Sequence, residues 1–332
     1  MSKIIYIFKR IKRMSFSSML DSVKLVSKRS EKSVFFIFLD MVWCGLRYQA
    51  GYTDYVVFEM ENTNARQRKT IITRGVSNRI VNRFNDSSYC HIFYNKDEFN
   101  TMFADFLGRE WIRLENKESF KEWLSGKEIL ISKPRDGVGG QGVEKFKVSD
   151  FKNSDELFDY LKSSGVEIVE QCLKQHSEMD KLYDGSVNTV RAITLNKGGN
   201  ITILCTPIRI GNGGIVDNFN SGGLITRADV NTGIVMFDAA DKAGNAYEKH
   251  PKTGTRFIGF QIPMWEQCMD LVKKAAAVVP QIGYVGWDIA ITPDGPVLIE
   301  GNEFPGHDMC QIPPNAQDRT GLLPRFKSVI NS

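Results

Sequence analysis

At 332 residues the chain is long enough for two or three subdomains with real cores. Its 42% hydrophobic and 25% charged content is ordinary for a soluble globular protein. A formal charge of +4, with basic residues dispersed and no recognition motif, gives little support to a nucleic-acid partner. Six cysteines (Cys44, Cys90, Cys172, Cys205, Cys268, Cys310) form no CxxC pair, which suits reduced thiols better than a disulfide framework or a zinc site.

Residues 1 to about 90 read as largely helical. A basic start without a small-residue cleavage site argues against a signal peptide. In Lys3 to Met14, Lys3, Lys9, Arg10, Lys12 and Arg13 alternate with Ile4, Ile5, Ile7, Phe8 and Ile11. That pattern fits a core-packing helix with a solvated basic edge, or a helix lying on an anionic membrane surface. Val34 to Leu46 is apolar but too short, and interrupted by Asp40, to span a bilayer. Residues 96–124 read as helix, with Phe99, Met102, Phe103, Phe106 and Leu107 at helical spacing.

Glu128 to Ser132 is a predicted strand, followed by Lys133-Pro134-Arg135-Asp136-Gly137-Val138-Gly139-Gly140-Gln141-Gly142-Val143. Lys145 to Val148 continues as strand, Ser154 to about Lys162 as helix, and Val166 to Glu170 as strand. From Ser186 the chain turns β-rich, with strands at Thr189 to Leu195 and Ile201 to Ile210. A Gly/Asn-rich loop covers 211–223, and a helix runs from about Pro263 to Val279. The expected divisions are a helical region 1–90, the start of a body at 91–130, a glycine-loop lid at 131–175 and a C-terminal subdomain at 176–332.

Gly286 to Asn302 reads as a β-hairpin turned by Pro293-Asp294-Gly295. A three-residue loop sets Thr292 opposite Pro296 and Asp288 opposite Glu300. Alternation then puts Asp288, Glu300 and Asn302 on one face. Two opposed carboxylates repel, and a hard divalent cation sharing oxygens with substrate phosphates would resolve the conflict. The plainer reading is an exposed hairpin with solvated acids.

Four glycines (Gly137, Gly139, Gly140, Gly142) clear side chains so that backbone N–H groups can approach phosphate oxygens. No helix follows at once, and the GxxxxGK[ST] order is absent, so neither a dinucleotide fingerprint nor a P-loop fits. Lys133 ends the strand that feeds this loop, within reach of phosphates beneath it.

Lys133 before a glycine-rich hairpin, Glu170 in Val-Glu-Gln-Cys-Leu and then Asp288…Glu300-x-Asn302 resemble the ATP-grasp superfamily in its own order. Ser186-Val187-Asn188-Thr189-Val190-Arg191, Gly286-Trp287-Asp288, Glu300-Gly301-Asn302 with Pro305-Gly306, Asp40-Met41 and Tyr52-Thr53-Asp54-Tyr55 look like its sugar-transfer-associated branch. The resemblance implies an α+β ATP-grasp fold, two subdomains gripping ATP between them, behind a helical N-terminal extension.

It implies ATP and Mg²⁺ as cofactors, with Mn²⁺ as a substitute. Lys133 would contact the α- and β-phosphates under Gly137, Gly139, Gly140, Gln141 and Gly142. Gln171, Cys172 and Leu173 would read the adenine edge beside Glu170, Glu178 would take the ribose, and Lys96 resembles an earlier lysine of the family. Asp288, Glu300 and Asn302 would hold metal. Arg191, Arg209 and Asn218 would act at the γ-phosphate, with Asn188, Asn220, Gly222, Gly223 and His307 toward substrate.

Implied is a cytoplasmic carboxylate–amine ligase working through an acyl phosphate, joining an amine to a sugar carboxylate in surface polysaccharide synthesis. Peripheral contact with the inner membrane face or with glycan-synthesis enzymes would accompany it. Two rivals stay open: a kinase using the same ATP site, and a non-catalytic nucleotide-binding component of a glycan-assembly complex. The sequence leaves the oligomeric state unread.

Overall fold

A computed structural model describes residues 16–134, 142–219 and 222–331. The expected basic helix at 3–14, and Gly137, Gly139, Gly140, Gln141 and Asn220, lie outside the described residues. The chain divides into two compact units, Phe84–Pro305 and Met1–Arg83 with Gly306–Ser332. These boundaries differ from those read in the sequence, because the stretch after Gly306 bonds back to residues 70–72.

In the helical unit, α1 (Phe16–Ser30), α2 (Val34–Tyr48) and α3 (Arg74–Phe84) are joined by a closing helix, Leu323–Asn331. Met19, Val23 and Val26 of α1 bury against Ile37, Met41 and Cys44 of α2, together with Tyr55 and Met60. The Ser33 side chain caps α2 by accepting the Phe36 N–H, satisfying one of the orphan donors of its first turn. Asp40 accepts both Arg68 Nη1 (2.7 Å) and Nη2 (2.6 Å), and also the Tyr55 hydroxyl. Gln311 accepts the Ile72 N–H at 2.9 Å, and the Leu323 N–H donates to the Thr70 carbonyl at 2.8 Å. Cys44 is a free thiol, whereas Cys310 is disulfide-bonded.

The second unit is α+β, the class expected, and is built on two sheets. The smaller contains β1 (Trp111–Arg113), β2 (Ile129–Lys133), β3 (Glu144–Lys147) and β4 (Ile168–Gln171) in the order β1-β4-β2-β3. Its pairings are antiparallel. The helices α4 (Lys117–Leu124) and α5 (Ser154–Ser163) start at Asn116 and Asn153 side-chain caps. Phe120, Leu124, Leu157, Phe158 and Leu161 from these helices share a core with Leu130 and Val169.

The single helix expected over 96–124 is instead a helix Lys96–Met102, a 3₁₀ turn Ala104–Phe106, strand β1 and α4. Gly108 ends the first part with φ +57°, where an added Cβ would lie 2.2 Å from Val297 Cγ1. Phe99 and Phe103 do share one face, packed with Phe93 and Trp287.

The larger sheet runs β11-β10-β5-β6-β7-β8-β9, from β5 (Thr189–Lys197), β6 (Asn200–Ile210), β7 (Leu224–Ala228), β8 (Ala239–Ala240), β9 (Ala246–Tyr247), β10 (Tyr284–Thr292) and β11 (Gly295–Asn302). Every residue of β10 is buried, as a strand covered on both faces requires, and α6 (Trp265–Val278) packs on the sheet. Cys90, Cys172 and Cys268 are free, but Cys205 on β6 is disulfide-bonded, so the expectation of six reduced thiols fails at two positions.

The hairpin register departs from expectation by one residue at its tip. Thr292 pairs with Gly295 and Ala290 with Val297, so the loop holds two residues rather than three. A bulge then leaves Ile299 unpaired and brings Asp288 opposite Glu300 after all.

Candidate active site

Adjacent strands assemble a charged row on the larger sheet. Glu300 on β11 faces Asp288 on β10, which faces Arg191 on β5; Arg209 on β6 lies opposite Thr189, two residues along. Arg191 grips Asp288 through Nε and, at 2.6 Å, through Nη2. Arg209 Nη1 reaches the same carboxylate at 2.6 Å while its Nη2 donates to Asp217 at 2.7 Å. Thr189 donates its hydroxyl to the other Asp217 oxygen. Asn302 Nδ2 donates to Glu300 at 3.3 Å, and Arg191 Nη2 stands 3.9 Å from Glu300.

The expected clash of Asp288 with Glu300 is therefore relieved by two guanidiniums. Burial would raise the Asp288 carboxyl, but Arg191 and Arg209 outweigh it and hold it below its usual range. At Glu300, burial and then the Asp288 charge push the carboxyl upward. The Glu300 side chain nevertheless stays 39% exposed. Burial likewise raises Asp217 against the pull of Arg209 and Thr189.

The smaller sheet presents a second charged group. Glu170 on β4 is buried, accepting from Arg109 Nε (2.7 Å), Lys133 Nζ (2.6 Å) and Asn100 Nδ2 (3.2 Å). Burial opposes its ionisation, yet the Arg109 and Lys133 charges hold the carboxyl well below the ordinary range. Arg109 also donates to the carbonyls of Leu298 (2.6 Å) and Ile299 (3.2 Å), tying Glu170 to the bulge.

A cleft of about 340 Å³ runs between these groups. Of the residues read in the sequence, it gathers Lys96, Lys133, Glu170, Gln171, Cys172, Leu173, Arg209, Asn218, Asp288 and Glu300. Arg191 and Asn302 stand behind its wall, bonded to Asp288 and Glu300. Ser186, also in the wall, has a buried hydroxyl packed against Gly211 and without a hydrogen-bond partner among the described residues.

Other expected residues fall elsewhere. Glu178 is half-exposed and paired with Lys181 at 2.7 Å. Asn188 is fully buried: its amide donates to the Tyr183 carbonyl at 2.7 Å and its oxygen accepts the Gly211 N–H at 3.0 Å, stapling two loops. Gly223 donates to the Asn218 carbonyl, and Gly222 turns beside it with φ +95°. Gly142 follows the loop with φ +70°. His307 belongs to the helical unit, where its Nε2 meets Asp54 at 2.7 Å.

Sequence reasoning missed Arg109, Asp180, Asp184 and Lys145 in the cleft wall, as well as Asp217. Only Asp217 carried a signal, being the neighbour of Asn218.

Asp288, Glu300 and Asn302 offer hard oxygens of the kind Mg²⁺ takes when phosphates complete its shell. Among the described residues, no three His, Cys, Asp or Glu side chains converge as a self-sufficient metal site. The donor set thus fits a cation shared with a phosphate ligand rather than one held by protein alone.

The family model for sugar-transfer associated ATP-grasp matches residues 114–331. No curated protein matches the chain. Among solved structures, similarity extends to L-amino acid ligase from Bacillus licheniformis (13% identity, TM-score 0.39, 64% of this chain and 41% of that one). D-alanyl-alanine synthetase A from Vibrio cholerae gives 14% identity and a TM-score of 0.42 over 72% of this chain and 65% of that one. The ATP-grasp ligase PsnB, complexed with minimal precursor, Mg and ADP, gives 15%, 0.41, 80% and 68%. The chain thus spans 41% and 65% of the first two proteins' lengths.

Proposed function

The chain belongs to the sugar-transfer associated ATP-grasp family, and we propose that it is an ATP-dependent carboxylate–amine ligase acting through an acyl phosphate. One observation carries the reading: Arg191 and Arg209 converge on Asp288 beside the half-exposed Glu300, in a cleft that also holds Lys133.

Lys133 neutralises the inner phosphates of ATP, and Glu170 keeps its ammonium aimed into the cleft. Asp217 and Thr189 fix the plane of Arg209. When the terminal phosphate enters, Arg209, which lines the cleft, exchanges part of its hold on Asp288 for phosphoryl oxygens, a planar bidentate grip suited to charge in motion. Arg191 keeps Asp288 in place from behind the wall and adds its charge to the site. Asp288, Glu300 and Asn302 would hold Mg²⁺, or Mn²⁺ in its place, which would supply further positive charge for the transferred group. The substrate carboxylate attacks the γ-phosphorus and ADP leaves. The amine then attacks the acyl carbon: a C–N bond forms, the C–O bond to phosphate breaks, and the amine's proton passes to the departing phosphate. No protein nucleophile is used. Burial pushes the Cys172 thiol up, away from thiolate.

The family description motivates a sugar-linked carboxylate and an amino acid or amine as substrates, in surface polysaccharide synthesis. Peripheral contact with a membrane surface belongs to the same reading.

The test is ADP release from ATP and Mg²⁺ across a panel of uronic acids, amino acids and amines, with Asp288→Asn and Glu300→Gln as controls. Phosphate released only when carboxylate and amine are both present, lost in Asp288→Asn and shifted to higher Mg²⁺ in Glu300→Gln, is the expected result. Phosphate retained on one acceptor would make the protein a kinase and overturn the ligase.

A further inference from the structure

Helix α2 has two apolar faces. Ile37, Met41 and Cys44 point into the core of the helical unit. On the opposite side Phe35 (71% exposed), Leu39, Val42, Trp43 (55%) and Leu46 form a stripe at i, i+4, i+7, i+8 and i+11, open to solvent. Exposed apolar residues are common singly, but an aligned run of five with two large aromatics is not. At 15 residues α2 is about 22 Å long. No helix among the described residues is long and apolar enough to cross a membrane.

The surroundings are cationic. Arg47 follows the stripe on α2, and Lys24 and Lys28 are exposed on α1. Over residues 16–83, Lys and Arg number 11 against 6 Asp and Glu. Four of those acids are already matched, Asp40 by Arg68, Glu61 by Arg29, Asp54 by His307 and Glu59 by Arg319. Val42 and Leu46 also wall an apolar pocket of about 610 Å³ in the same unit. A rigid protein partner would need a matching protrusion to fill that volume at native packing density, whereas acyl chains adapt to it.

We propose that the outward face of α2 docks the protein on an anionic lipid bilayer, with Phe35, Leu39, Trp43 and Leu46 entering the headgroup–acyl boundary and the surrounding lysines and arginines meeting lipid phosphates. This deepens the peripheral-membrane part of the proposed function and needs no ATP, so its failure leaves the ligase reading standing.

Co-sedimentation of the full chain with vesicles tests it, without nucleotide, using phosphatidylcholine alone or with about one third phosphatidylglycerol. The chain should bind the anionic vesicles, more weakly as salt rises. Phe35→Ser/Trp43→Ser should lower partitioning at least about tenfold, with an unchanged thermal melt. Leu39→Ser/Leu46→Ser provides a second variant on the same face, expected to act alike. Absence of binding to anionic vesicles overturns the proposal. So does binding that both variants leave intact. A self-associated dimer in light scattering that Phe35→Ser/Trp43→Ser dissociates would assign the face to a second copy and likewise overturn it.

Discussion

Replacing Arg109 with Met keeps the length of the side chain and removes the guanidinium. Arg109 and Glu170 are both nearly sealed from solvent, with side chains 2% and 3% exposed. The substitution deletes bonds to both Glu170 oxygens (2.7 and 3.2 Å) and to the carbonyls of Leu298 (2.6 Å) and Ile299 (3.2 Å). Lys133 and Asn100 remain, so the carboxylate keeps part of its compensation. Breaking a buried pair from one side costs about 3–5 kcal/mol, largely through the stranded charge. With a denaturant slope of about 3 kcal/mol/M for a unit of this size, the urea midpoint should fall by about 1–2 M. Far-UV circular dichroism at pH 7 is the assay. Adding Glu170→Gln removes the stranded charge, so the double variant should recover about 1–2 kcal/mol relative to additivity. A midpoint shift below about 0.3 M, or strict additivity, would refute the idea that this pair holds the hairpin bulge in place.

Glu170 also sets an acid dependence. Its folded carboxyl lies below the ordinary value, so its stabilisation is complete above about pH 5 and declines as pH falls through the unfolded value near 4.3 toward the folded one. Glu170→Gln should therefore flatten the acid limb of urea midpoints measured from pH 6 down to 3, and an unchanged limb would assign it to other groups. Glu300→Gln, at a half-exposed side chain, should leave the melt nearly unmoved while raising the Mg²⁺ needed for half-maximal ADP release about tenfold. Gly108→Ala forces a Cβ to 2.2 Å from Val297 Cγ1 at a left-handed φ, and should destabilise by about 2–3 kcal/mol in the same urea assay.

Local patterns carried much of this site. Pro293-Asp294-Gly295 announced the hairpin, and alternation put Asp288 and Glu300 on one face. The agreement at that pair has two causes that offset each other: a loop one residue shorter than expected, and one extra residue at Ile299. No rule of spacing foretells such a bulge, since it is held by Arg109, 190 positions away from Ile299. The 97-residue separation of Arg191 and Asp288 hid their pairing in the same way. Helical periodicity over 96–124 misled because Phe99 and Phe103 do pack on one face, while Gly108 turns the chain out of the helix and Asn116 caps a new one. Family order pointed to Lys133, Glu170, Asp288 and Glu300, which line one cleft, yet gave no hint that two arginines already occupy Asp288.

The helical unit draws on both ends of the chain, with Gln311 clasping Ile72 and Leu323 clasping Thr70, whereas Phe84–Pro305 is one uninterrupted stretch. During synthesis the two therefore mature in the reverse of their order of emergence. Helices α1 and α2 share a core built from residues 19–71, but the backbone at Thr70 and Ile72 waits for Leu323 and Gln311. The intervening unit can close its sheets while Thr70 and Ile72 still lack these partners. A ribosome stalled after Pro305 would carry a continuous unit able to finish its cleft and a helical unit still without the Gln311 and Leu323 clasps.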